Sequence, residues 1–95
     1  MSIFYNTKYV TNGINSKVDL FLQLFMWNLI TDMKGPKDYL QIFKCSNENG
    51  KKIEHIQEVP EYKRQYLLYA DTIFIGKIFV IDDGEHSVMM LAEEY

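Results

Sequence analysis

Gly35-Pro36 divides this chain into two parts that obey different rules. Before it runs an apolar stretch with helical spacing. After it, turn signals recur so often that the segments between them suit strands rather than long helices. The glycine accepts the left-handed conformation that closes a helix, and the proline behind it refuses to continue one. The pattern predicts an α+β fold, with one main helix packed on an antiparallel sheet of about five to six strands in the order strand, helix, strands.

Taken along the chain, Tyr9, Val10 and Thr11 are strand formers that Asn12-Gly13 stops with a turn. Ser16 with Asp19 three residues later matches a capping box, so the helix is expected over Lys17 to Lys34. Asp38 to Cys45 and Lys51 to Glu58 read as a hairpin about the Asn47-Glu48-Asn49-Gly50 turn. Val59-Pro60 then takes the chain out of the sheet or to an edge, because proline cannot donate to a ladder. Tyr62, Tyr66 and Tyr69 would share one face of a short helix, but Gln65 to Ala70 equally suits a strand, and the strand is preferred. Ile73 to Ile81 is either two strands turning at Gly76-Lys77 or one long strand with a bulge there. Asp83-Gly84 makes the next turn, and His86 to Ala92 forms the last strand.

A length of 95 residues supports a single domain, 1–95, with one core. With 47% apolar and 15% aromatic residues the chain has enough apolar material to build it. The net charge of −3 is concentrated at one end: Asp82, Asp83, Glu85, Glu93 and Glu94 close the chain with no base among them. This balance argues against a dedicated duplex-binding protein, which needs a basic footprint to displace counterions. Cys45 is the only cysteine, so neither an intrachain disulfide nor a thiol pair for zinc or dithiol exchange is available, and a reducing compartment is expected. Met1 to Tyr9 lacks the basic and apolar segments of a secretory signal. Leu20 to Ile30 is interrupted by Gln23 and Asn28 and falls short of the roughly 20 residues that span a bilayer. The expected location is the cytoplasm, with no membrane partner.

On the helix, Val18, Phe21, Leu22, Phe25, Met26, Leu29 and Met33 gather on one arc, the expected core face. Leu20, Leu24 and Trp27 point to the other side. They are either covered by the later strands or the Pro60 loop, or they form a surface for another protein or a second copy. The Asp82-Asp83-Gly84-Glu85-His86 turn has the oxygens for a divalent cation but the spacing of no metal motif, so no metal site is expected. Its carboxylates, Asp82, Asp83 and Glu85, would instead make a secondary surface that steers a basic partner. His55, His86 and Cys45 show no catalytic spacing; the chain is read as a non-enzyme without cofactors. The alternative to a protein-interaction module is a nucleic-acid-binding module that uses Lys51, Lys52, Lys63 and Arg64 with tyrosine stacking.

At Gln57-Glu58-Val59-Pro60-Glu61-Tyr62, and from Lys77 through Gly84 to Leu91-Ala92-Glu93-Glu94-Tyr95, the chain resembles a family of small uncharacterised proteins of staphylococci and related Gram-positive bacteria. The helix segment Leu20 to Ile30 is similar as well. The resemblance implies a bacterial, cytosolic, single-domain protein. It implies no reaction, cofactor or site residue.

Overall fold

Thr11 and Asp19 each start a helix, and together they set the α-layer of the computed structural model, which describes residues 4–70 and 73–95. After strand β1 (Thr7–Val10), the Thr11 hydroxyl accepts from the Ile14 amide at 3.2 Å and opens α1 (Asn12–Lys17). The Asp19 carboxylate accepts from the Leu22 amide at 2.8 Å and opens α2 (Leu20–Thr31). Asn12-Gly13 is therefore the first turn of a helix and not a turn after a strand. The expected single helix over Lys17 to Lys34 is two helices, broken where Val18 adopts extended backbone and buries its side chain. Ser16 falls inside α1, so no capping box with Asp19 forms. α2 stops at Asp32, before Gly35-Pro36.

Five more strands follow: β2 (Leu40–Ser46), β3 (Lys52–Gln57), β4 (Tyr62–Leu67), β5 (Gly76–Asp82) and β6 (His86–Leu91). They form one sheet in the order β1-β6-β5-β2-β3-β4. All neighbours are antiparallel except β1, which lies parallel to β6 with Val10 opposite Met89. The β2–β3 hairpin turns at Asn49 (φ 57°) and Gly50 (φ 107°), the positive-φ pair the sequence calls for. Pro60 takes the chain out of the sheet only for the length of a turn. It returns as β4, an edge strand that begins earlier than Gln65. Gly76 is neither a hairpin turn nor a bulge but the first residue of β5. Its φ is +142°, and the Phe74 ring lies 3.0 Å from where a side chain would begin. Residues 71 and 72 of the undecided 60–72 stretch lie outside the described residues.

The four middle strands β2, β3, β5 and β6 alternate. Residues of one parity are buried: Phe43 and Cys45, Ile53 and His55, Ile78 and Val80, Met89 and Leu91. These share one core with Ile14, Val18, Leu22, Met26, Trp27 and Ile30 from the helices, so both helices lie on the same sheet face. The face α2 turns to the sheet is rotated by about 80° from the expected arc, on 100° per residue. Phe21 is 70% exposed, while Trp27 is 8% exposed and belongs to the core. Gln23 permits the rotation, because its buried amide donates to the Val18 carbonyl at 2.8 Å and to Asn15 at 3.4 Å, so its burial leaves no orphaned group and locks the α1–α2 elbow. Trp27→Ala is expected to cost about 3–5 kcal/mol of stability in urea unfolding, and Leu24→Ala no more than about 0.5 kcal/mol. Equal losses would mean that Trp27 carries no more of the core than Leu24.

Candidate functional site

The residues singled out in the sequence separate into three groups. Leu20 and Leu24 are 66% and 52% exposed and stand with Phe21 on the outer ridge of α2. Phe21 stacks on Phe25 at 6.4 Å, and Phe25 meets Tyr66 of β4 edge-on at 5.8 Å, so an aromatic run descends from the ridge to the sheet. Trp27 does not belong to this ridge: its ring is buried, with the Lys8 ammonium 5.7 Å from its centroid. Asp82 is likewise removed from the acidic surface. It is buried, and its carboxylate accepts from the Phe4 amide, from the Asn6 side chain at 3.2 Å and from the Gly84 amide at 2.6 Å. It fastens the first described residues to the end of β5. Asp83 and Glu85 remain exposed; the Asp83 carboxylate takes the amides of His86 and Glu85, which hold its pKa below the ordinary carboxylate value.

The basic residues do not converge. Lys52 and Lys63 have the sheet parity that faces away from the helices, and Lys63 is paired with Glu54 at 3.3 Å. Arg64 has the opposite parity and lies over the Tyr62 ring on the helix side, where Tyr66 also sits. Lys51 lies in the β2–β3 turn. On β4, Lys63 thus faces away from Tyr62 and Tyr66, which share their face with Arg64.

Sequence reasoning missed the helix-free face. In a sheet covered on one side, the outward positions ordinarily turn polar. Here the register puts Tyr9, Val88, Ile81 and Leu40 in one row and Met90, Phe79, Ile42 and Ile56 in the next, side by side across the middle strands. Tyr9 is exposed and the other seven are half-buried. No helix or strand of the described residues covers them, and the Tyr95 ring packs edge-on against Phe79 at 5.6 Å. The signal was present as apolar residues at consecutive positions, Leu40 to Phe43 and Ile78 to Ile81 broken only by Gln41, but such runs fit any well-buried strand. Beyond this block the next row holds Lys77 directly opposite Lys44. Among the described residues neither has an ion-pair partner.

Under the helices runs a buried polar chain. Gln57 accepts from the Asp38 amide and from the Gln41 side chain, both at 2.7 Å, and donates to the Pro36 and Pro60 carbonyls. Because the Gln41 amide nitrogen is spent on Gln57 and on the Asp38 carbonyl, its oxygen must accept, and His55 Nε2 donates to it at 2.7 Å. His55 Nδ1 is left as a buried acceptor without a partner. The ring stacks on Phe43 at 4.5 Å, and burial lowers its pKa to about 4. Cys45 lies on the same face, its thiol pushed up to about 12 by burial. His55 aims its Nε2 toward Gln41, on the far side of Phe43 from Cys45, so the two do not form a nucleophile and base. An open depression of about 330 Å³ between the start of β5 and the C-terminal turn is lined by Lys17, Phe74, Lys77, Leu91 and Glu93, with no acid–base constellation. Among the described residues no helix is long and apolar enough to cross a membrane.

A family model described as staphylococcal protein of unknown function (DUF960) matches residues 7–94. The chain belongs to this family. The resemblance read from Gln57 to Tyr62 and from Lys77 onward is thereby established, and with it a bacterial origin. A crystal structure of a protein of unknown function from Enterococcus faecalis has the same fold, with a TM-score of 0.82 and 25% identity over 100% of this chain and 97% of that one. No curated protein matches the sequence.

Burial of His55 has a measurable consequence. Its folded-state pKa lies below the ordinary 6.5, so the folded protein holds this proton less tightly than the unfolded chain. Stability is complete above 6.5 and is expected to decline as pH falls from 6.5 toward 4, by up to about 3 kcal/mol. Urea midpoints across that window measure it. His55→Phe should be less stable at neutral pH, with the Gln41 oxygen unpaired, yet show a flatter profile there. An unchanged slope would assign the titration to other groups.

Proposed function

We propose that this member of the family is a cytoplasmic protein-interaction module of a Gram-positive bacterium, without catalysis of its own, that binds through the helix-free face of its sheet. The observation that carries this reading is the two-row apolar block from Tyr9 to Ile56. A contiguous apolar patch on a small monomer is uncommon without a use, and residues that a two-layer domain would otherwise make polar are here apolar in five adjacent strands. The Leu20, Phe21 and Leu24 ridge on the opposite side of the molecule is a smaller second patch, and Asp83 and Glu85 supply charge in the β5–β6 turn at one end of the strands.

Nucleic acid fits this surface less well than protein does. Base stacking needs aromatic faces beside cations, whereas Tyr62 and Tyr66 lie on the helix side with Arg64, and Lys52 and Lys63 lie on the other.

The test is chemical crosslinking of tagged protein in a Gram-positive lysate. Wild type is expected to yield discrete adducts, with itself or with another protein, that Phe79→Glu abolishes while its circular dichroism is unchanged. Leu24→Glu should leave them in place. Adducts equally strong in Phe79→Glu would overturn the reading.

A further inference from the structure

The helix-free face has a polarity along its strands that selects one kind of occupant. Along β5, Lys77 precedes Val80 by three residues and Asp83 follows it by three. Lys44 stands beside Lys77 in register, and Glu85 stands beside Asp83 in the turn. The apolar rows lie between these two charged ends, centred on the level of Val80 and Gln41. The face is therefore basic, apolar, acidic in sequence, with its oppositely charged ends equally spaced from the middle.

We propose that the occupant of this face is a second copy of the chain, docked sheet to sheet about a two-fold axis that lies in the interface and runs across the strands. This rests on the reading of the face as a protein-contact surface. Such an axis reverses strand direction, so it lays apolar block on apolar block and brings the Lys44 and Lys77 end of each copy over the Asp83 and Glu85 end of the other. An axis along the strands would set lysine on lysine. A two-fold interface must be self-complementary, residue i meeting j and j meeting i, and the spacing of Lys77 and Asp83 about Val80 meets that condition.

Two further observations support a partner with this charge pattern. Lys44 and Lys77 are like charges directly opposite on neighbouring strands, and Glu54, opposite Lys44 on β3, is already engaged by Lys63 at 3.3 Å, so an arriving acidic group relieves the lysine pair. The footprint is also adequate. Six strands about 4.8 Å apart and roughly 20 Å long present on the order of 500 Å² per copy, so a pair covers about 1,000 Å², the lower bound for a specific interface. The dimer is accordingly one of moderate affinity, dependent on concentration and weakened by salt.

Sedimentation equilibrium and light scattering over a concentration series test the proposal. Wild type is expected to dimerise. Lys44→Glu/Lys77→Glu should dimerise about ten-fold or more weakly, because it sets acid against acid. Asp83→Lys/Glu85→Lys should be weakened for the converse reason; should it unfold the turn that Asp83 caps, as read by circular dichroism, Glu85→Lys alone carries this arm. Mixing the two doubly reversed proteins should restore association as a heterodimer, and combining all four reversals in one chain should restore the homodimer. A wild type that stays monomeric at every concentration, or charge variants that all associate equally, would overturn the second copy as occupant. In that event, lysate adducts with another protein that disappear in Phe79→Glu would leave the interaction reading standing, and adducts unaffected by Phe79→Glu would remove both.

Discussion

A sheet has two faces, and this chain has one long helix to cover them. α2 is 12 residues, about 18 Å; with the short α1 it shields one side of a sheet six strands wide. Everything else in the molecule follows from that asymmetry. On the shielded side the strands carry Phe43, Ile53, Ile78, Val80 and Met89, all fully buried. On the other side, a two-layer protein that lives alone turns to Thr, Lys and Glu. Lys44, Lys52, Glu54 and Lys77 obey that rule on half of the face, and the eight residues of the apolar block do not. The division within one face is the strongest evidence that its two halves do different things.

The shielded side is not uniformly apolar. Gln41, His55 and Gln57 are buried in a hydrogen-bonded chain that also gathers the backbone at Pro36, Asp38 and Pro60. Buried amides contribute less to stability than well-packed aliphatic groups, but the bonds that join Gln57 and His55 to Asp38 and Gln41 depend on a single register between β2 and β3. A slip of β3 by one residue would carry Gln57 and His55 to the outer face, away from Gln41. The chain of amides thus makes the neighbouring strands add up to one sheet, including the β3–β4 edge where β4 itself contributes few buried side chains.

Much of this was legible in the sequence. The α+β class, the Asn49-Gly50 and Asp83-Gly84 turns and the final strand follow from local backbone chemistry, which needs no knowledge of distant contacts. What failed did so where distant contacts decide. The orientation of α2 could not be read from periodicity because Leu, Phe and Trp surround the helix on every side; Gln23, the one polar side chain turned inward, settles it by bonding to Val18 and Asn15. Helical spacing leaves Trp27 open between core and partner surface, and Asp82 reads as part of an acidic surface, yet one is packed beneath Lys8 and the other receives the Phe4 amide. Lys63 and Arg64 are adjacent in sequence, and the period-two geometry of a strand sends them to opposite faces. The apolar block is written in the sequence but in five separate strands, and only their register assembles it.

The pairing of β1 with β6 bears on how the domain resists force. The two strands run in the same direction, with Thr7 opposite His86 and Val10 opposite Met89. Tension applied between the start of β1 and the end of β6 runs lengthwise along this ladder and loads its bonds together, whereas a hairpin pulled open at its free ends surrenders them one after another. The Thr11 hydroxyl bond to Glu94 at 2.6 Å and the Lys17–Glu93 ion pair at 3.4 Å lie alongside it and share the load. A domain built this way is a mechanical clamp, and it would hold its shape under a pull that unzips an antiparallel edge.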